Sequence, residues 1–232
     1  MVDKFRYVTI SGNREHKGRS LMNTVITIGR QFGSGGRAIG ELLAQKYNIK
    51  CYDKELIARV AKESGLSPET IEHQDERPTT SFLYNLVMDT YSFGYSTSGF
   101  VDMPISHKIF LAQFDTIKKI ASEGPCIIVG RCADYALSDL PNVVHIFISA
   151  DENARIAEIR RRYKDINSDD KATEMMRKKD KQRKNYYNYY SSKKWGHVDS
   201  YDLTVNSVKL GFEGSAELIA QFVDDFEKRQ KS

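Results

Sequence analysis

Apolar residues fall into two patterns along this chain. Five short runs, at residues 24–28, 49–52, 126–129, 143–148 and 202–205, have the β-rich composition of strands. Between them, apolar positions recur at helical spacing. Ile39, Leu42, Leu43 and Tyr47 stand at i, i+3, i+4 and i+8. Ile109, Phe110, Phe114, Ile117 and Ile120 make a second stripe, and Leu218, Ile219, Phe222, Val223 and Phe226 a third. Strands alternating with helices predict βαβ units and a parallel sheet, hence an α/β fold. The run Cys-Ile-Ile-Val at 126–129 is apolar throughout, as a strand covered by helices on both faces must be. In such sheets ligands collect beyond the C-terminal ends of the strands, so those ends are where chemistry is sought.

The first run leads into Gly29-Arg30-Gln31-Phe32-Gly33-Ser34-Gly35-Gly36-Arg37, and an amphipathic helix follows at once. Glycines let the backbone turn tightly with its N–H groups inward. Those groups and the positive end of the helix dipole make an anion nest, for which phosphate is the natural occupant. An ordinary strand-to-helix turn is the plainer alternative. The loop differs from the standard phosphate-binding sequence. With Gly33-Ser34-Gly35 set on the usual Gly-x-Gly, Gly36 stands where the lysine belongs, and Arg37 and Ala38 follow, so the hydroxyl that holds Mg²⁺ is absent as well. Arg37 supplies charge one residue later, with a wider fork than an ammonium. Ser34 has a hydroxyl within the loop.

The second run ends in Asp53, followed by Lys54. Its carboxylate suits a sugar or base, and equally the N-cap of a helix over 54–62. The third run ends in Gly130-Arg131-Cys132-Ala133-Asp134. An arginine directly after a buried strand is expensive without an anion to meet, either a phosphate or the carboxylates of Asp134 or Asp53. Farther on, Arg177, Asp180 and Arg183 stand three apart, a spacing read as one helical face able to close over transferring phosphates. The tyrosines at 186–190 and Trp195 are read as packing that helix onto the body rather than as a single-strand platform.

Composition narrows the setting. A chain of 232 residues, 40% hydrophobic and 28% charged, suits one α/β domain with a mobile insertion. No apolar run reaches membrane-span length and no secretory leader is recognisable, so a cytoplasmic protein is expected. Cys51, Cys126 and Cys132 have no metal-ligand spacing and are odd in number. Residues 151–184 carry 12 basic and eight acidic side chains, and the remainder is balanced at 23 of each. The whole excess of +4 therefore sits in one segment. That favours a small anionic ligand over a long polyanion such as nucleic acid, with a solvated helical face as the alternative. Residues 1–22 are polar and aperiodic, and are expected to be a flexible extension or to precede a true start at Met22.

Taken together, these segments resemble the cytidylate-kinase-like proteins, a branch of the nucleoside monophosphate kinases. The marks are Thr27-Ile28-Gly29 through Arg37, Tyr52-Asp53-Lys54, Val129-Gly130-Arg131-Cys132-Ala133-Asp134-Tyr135, Phe147-Ile148-Ser149-Ala150 and Tyr201-Asp202-Leu203. The resemblance implies a P-loop NTPase-type three-layer fold over residues 23–232. It has a five-stranded parallel sheet, a helical acceptor-binding region at about 54–107 and a lid at about 155–195. It implies ATP phosphates on Gly33, Ser34, Gly35, Gly36 and Arg37, with Mg²⁺ held chiefly by ATP and water. It also implies acceptor contacts from Asp53, Arg131, Asp180 and Arg155, although Cys132 stands where the family's Gly-Arg-Asp turn has its Asp. Arg37, Arg177 and Arg183 would stabilise the transferring group. The expected activity is phosphoryl transfer from ATP to a nucleoside monophosphate, CMP or dCMP first. A catalytically silent nucleotide binder and a kinase for another small acceptor are the alternatives, with monomer and homodimer both open.

Overall fold

The computed structural model describes residues 22–74 and 104–231. Residues 1–21 of the expected extension and 75–103 of the expected acceptor-binding insertion lie outside the described residues. Five strands form one sheet: β1 (Val25–Arg30), β2 (Lys50–Tyr52), β3 (Cys126–Val129), β4 (Val143–Ser149) and β5 (Leu203–Asn206). Their order is β2-β3-β1-β4-β5, and every pairing is parallel. The helices are α1 (Gly36–Tyr47), α2 (Lys54–Ser64), α3 (Pro68–Gln74), α4 (Ile105–Ser122), the short α5 (Ala133–Ala136), α6 (Glu152–Arg162), α7 (Asp169–Ser191) and α8 (Ser207–Gln230).

The pleat sorts the strand residues into two cores. Val25, Ile128 and Val143 face Leu56, Val60, Ile117 and Ile120 of α2 and α4. Their neighbours Ile26, Ile28, Ile127 and Val129 face Ile39 and Leu43 of α1 and Ile219 and Val223 of α8. The result is three layers, with helices on both faces of the sheet. Each fully buried Ile or Leu contributes about 1.5–3 kcal/mol relative to exposure.

Two boundaries differ from the apolar pattern in ways that matter. β1 continues two residues beyond Ile28, because Gly29 and Arg30 still pair with Phe147 and Ile148 of β4. Ladder pairing needs backbone groups, not apolar side chains, and it carries Arg30 to the C-terminal edge of the sheet. β5 starts at Leu203 rather than Asp202. Asp202 instead donates its N–H to the His145 carbonyl at 2.8 Å and accepts the His145 N–H on its carboxylate at 2.7 Å.

The second half of α7 is fastened to the body. Tyr186, Tyr187 and Tyr190 are buried against Phe110 of α4, with the Phe110 and Tyr190 rings stacked at 3.9 Å. The Tyr186 hydroxyl donates to Gln113 at 2.9 Å, and the Tyr187 hydroxyl to the buried Asp134 at 2.5 Å. Burial pushes the Asp134 carboxyl above its usual range, and the Tyr187 bond opposes that shift. No helix among the described residues is long and apolar enough to cross a membrane.

The apolar stripe of α8 is narrower than its sequence indicates. Leu218 is 41% exposed, whereas Ile219 and Val223 are wholly buried. One residue is a 100° step around the helix, and the face that meets the sheet runs through Ala216, Ile219, Ala220 and Val223. Ile219→Ala is therefore expected to cost about 2–5 kcal/mol, and Leu218→Gln less than about 0.5 kcal/mol, in urea denaturation.

Candidate active site

The glycine-rich loop joins β1 to α1 at the C-terminal edge of the sheet. Gly35 is the residue before α1 and has φ of 79°, a left-handed conformation that side chains resist. A Cβ there would also lie 2.2 Å from the Phe212 ring, so glycine is required twice over. The rest of the loop is held by the sheet. The Gln31 N–H donates to the Ile148 carbonyl at 3.0 Å, and the Gln31 side-chain oxygen accepts the Ala150 N–H at 3.0 Å. The Ser34 hydroxyl is turned inward, shared between the carbonyls of Gln31 (2.9 Å) and Ile148 (3.1 Å). Ser34 thus contributes scaffold and backbone here, with its hydroxyl directed away from the cleft. The amides of Gly33, Gly35, Gly36 and Arg37 meet no protein acceptor among the described residues. Three of these residues, and the Arg37 side chain, line one cavity of about 260 Å³. Unpaired amides at a helix start, with no acidic side chain in its first turn, make an anion cradle.

The loop is clamped to the α6–α7 pair through Phe32. The Asp180 carboxylate of α7 accepts the Phe32 N–H at 2.7 Å. The Arg155 Nε of α6 donates to the Phe32 carbonyl at 2.8 Å. Arg155 and Asp180 then pair with each other. The Phe32 ring is buried with Ile159, Ala172 and Met176, stacks on Tyr163 at 5.9 Å, and lies under the Arg183 guanidinium at 5.4 Å. Arg155 is only 6% exposed, so its charge is balanced by these partners rather than by solvent.

Opposite the loop, Asp53 stands at the N-cap position of α2 without making a capping bond. Its carboxylate instead gathers guanidinium groups. Arg131 donates to it at 2.8 Å, Arg37 is 3.5 Å away and Arg30 is 4.0 Å away. Arg131 is buried and also donates to the Val129 carbonyl at 2.8 Å. It sits in a turn, at residues 130–132, where three consecutive residues have positive φ. For the two that are not glycine this costs roughly 1–2 kcal/mol each. Of the two carboxylates weighed for Arg131, Asp53 is the partner and Asp134 serves Tyr187.

The three-residue spacing on α7 does not hold one face. Each step of three leaves a residue about 60° short of a full turn, so Arg177 and Arg183 stand about 120° apart. Arg183 lines the cavity and donates to the Arg30 carbonyl at 3.2 Å. Arg177 is 72% exposed and pairs with Glu152 at 3.1 Å outside the cavity. Arg37 lines the cavity, but its Nε is taken by Glu41 at 2.8 Å.

Several lining residues escaped the sequence reading: Arg30, Lys54, Arg162, Lys179 and Gln182. For Arg30 the only signal was its place in the loop. The others come from elements far apart in sequence, and only their packing reveals them. Among the described residues, the lining carries seven basic side chains against Asp53 and Glu72.

A five-stranded parallel sheet in this order, with a glycine cradle after its central strand and a basic cleft at the strand ends, defines a P-loop kinase-type protein. The family model "Cytidylate kinase-like family" matches residues 25–209, and the chain belongs to that family. A cytidylate kinase of Methanosarcina barkeri is 23% identical over 189 residues, covering 81% of this chain and 87% of its own. An uncharacterized protein from Eubacterium ventriosum is 30% identical, with a TM-score of 0.64 over 87% of this chain and 98% of its own. Shikimate kinase from Bacteroides thetaiotaomicron, 12% identical, shares the fold with a TM-score of 0.50 over 87% of this chain and 98% of its own.

Asp180→Ala strips Arg155 of its carboxylate and Phe32 of its acceptor. It is expected to lower unfolding stability by about 3 kcal/mol in chemical denaturation, with Arg155→Met/Asp180→Leu recovering part of the loss.

Proposed function

We propose that this protein is a phosphotransferase that moves the γ-phosphoryl group of ATP to a nucleoside monophosphate, with CMP or dCMP as the preferred acceptor. The observation that carries this reading is the charge of the cleft, seven basic side chains against two acidic ones among the described residues, beside an anion cradle. A neutral acceptor would leave much of that charge unbalanced, whereas a triphosphate and an acceptor that is already phosphorylated balance it. Family membership supports nucleotides as the ligands.

In this reading the triphosphate lies on the amides of residues 33–37. Arg131 meets the acceptor phosphate and Asp53 a ribose hydroxyl. Arg183 reaches over the transferring group from the lid. Arg155 and Asp180 act at one remove, by holding the loop against the lid. An acceptor phosphate oxygen attacks the γ-phosphorus, the bond to the β-phosphate oxygen breaks, and ADP leaves. A dianionic acceptor phosphate has no proton to lose, so no general base is needed. The protein's tasks are alignment, exclusion of water and charge stabilisation. Among the described residues no group of three or more His, Cys, Asp or Glu is arranged to hold a metal, and the Ser34 hydroxyl points inward. Mg²⁺ would be held chiefly by the triphosphate and water, and would supply charge neutralisation there. The cytoplasm is the compartment that fits this substrate pair.

One observation favours a second reading. Gly36 stands where the loop lysine belongs, which motivates a nucleotide binder without turnover. ADP formation from ATP and Mg²⁺ with CMP, dCMP, UMP, AMP and GMP separates the two. Selective turnover of CMP or dCMP supports the kinase. ATP binding without turnover of any of these supports the silent binder. Turnover only with an unphosphorylated acceptor overturns the argument from charge. In the active protein, Arg183→Ala is expected to lower kcat by about 10²–10³-fold while changing ATP affinity far less. The same change at the outward-facing Arg177 should have a much smaller effect. Equal, small losses in kcat and affinity for Arg183→Ala would remove that residue from the transferring group.

A further inference from the structure

We infer that Arg30, rather than Arg37, supplies the phosphate-binding cation that the loop's lysine position lacks. This rests on the assignment of the loop to the ATP phosphates. In the standard loop the lysine is the first residue of the helix, and here that residue is Gly36. A Cβ built on Gly36 would lie 2.6 Å from the Cβ of Arg30 and 3.0 Å from its Cγ. The stem of Arg30 therefore occupies the place from which a lysine stem would depart. Two consequences follow from that one contact. Residue 36 cannot carry a side chain while residue 30 has one, so its glycine has a cause in packing. A cationic side chain also leaves the loop from almost the same point as the missing one.

The topology explains the exchange. Arg30 is the last residue of β1 and pairs with Ile148. The intervening residues turn the chain back on itself, which makes residue 36 the spatial neighbour of residue 30. The Arg30 side chain is 11% exposed and lies 4.0 Å from Asp53. It borders the main cavity together with Gly33, Gly35 and Gly36, and also the smaller cavity lined by Arg131 and Arg183. It thus sits between the loop and the proposed acceptor phosphate site, where the β- and γ-phosphates would meet it. The lid reaches the same residue, since Arg183 donates to its carbonyl. Arg37 is placed less well. Its side chain runs along α1 to Glu41 and across to Asp53, and it is about one-third exposed.

The test is a swap. Arg30→Met, Arg37→Met, Gly36→Lys and Arg30→Gly/Gly36→Lys are compared with the wild type by calorimetric ATP binding, ADP formation and thermal melting. Arg30→Met should weaken ATP binding at least ten times more than Arg37→Met does. Gly36→Lys alone should lower the melting temperature and lose ATP binding, because its stem collides with Arg30. Adding Arg30→Gly, which removes the colliding Cβ, should restore both, with ATP affinity within about threefold of wild type. If Arg30→Met fails to fold, the rescue decides the matter. A double variant as defective as Gly36→Lys, or an Arg37→Met loss equal to that of Arg30→Met, overturns the assignment. Wild-type protein that binds ATP but turns over no acceptor overturns the kinase reading and leaves the binding comparison to judge Arg30. Wild-type protein that does not bind ATP overturns both.

Discussion

The site depends on one ion pair and the peptide groups it holds. Arg155 and Asp180 come from two different helices and meet across the backbone of Phe32, one taking its carbonyl and the other its N–H. A loop built largely of glycine has little side-chain packing to define its path. Tying both polar groups of its one aromatic residue, and burying the ring with Ile159 and Met176, supplies that definition. The same contacts fix where α6 and α7 lie. The loop and the first half of α7 are therefore held together here, while the tyrosines of its second half fasten that helix to the body.

The second constraint is charge. Arg30, Arg37 and Arg131 converge near one carboxylate, Asp53, in a cleft with further cations from α2, α6 and α7. Guanidinium groups kept this close repel one another unless anions are present. Asp53 serves that purpose within the protein, and phosphates suit the remainder. The left-handed turn at residues 130–132 fits the same picture. It holds Arg131 between the end of β3 and Asp53, at a cost in backbone strain that the surrounding core sustains. Burial pushes the Cys51 and Cys126 thiols up to about 12, which favours their protonated forms.

Family membership and fold sharing bear on different questions. The match over residues 25–209 ties the chain to cytidylate-kinase-like proteins, whereas the shikimate kinase shares only the architecture. Both facts agree with a sheet whose central strand delivers a phosphate loop. Acceptor preference belongs to the side chains around the cleft, which a fold does not dictate. The proposed substrate class therefore rests on the balance of seven bases against two acids among the described residues of the cleft.

Alternating runs of apolar residues were enough to place all five strands and the helices α1, α4 and α8, because burial on both faces of a sheet imposes a periodicity that sequence records directly. The glycine loop, Asp53 and Arg131 were legible as strand-end residues for the same reason. What each polar side chain touches was not legible. Asp180 and Arg155 read as substrate ligands, and the structure turns them onto the loop backbone. Arg177 read as a neighbour of Arg183, and helix rotation carries it to the outside. Arg30 was legible only as a loop residue, since nothing in sequence shows that residues 30 and 36 abut. Hydrophobic periodicity is a local property, summed over neighbours in the chain. The partner of a charge is set by where distant elements come to rest, and only the tertiary structure decides that.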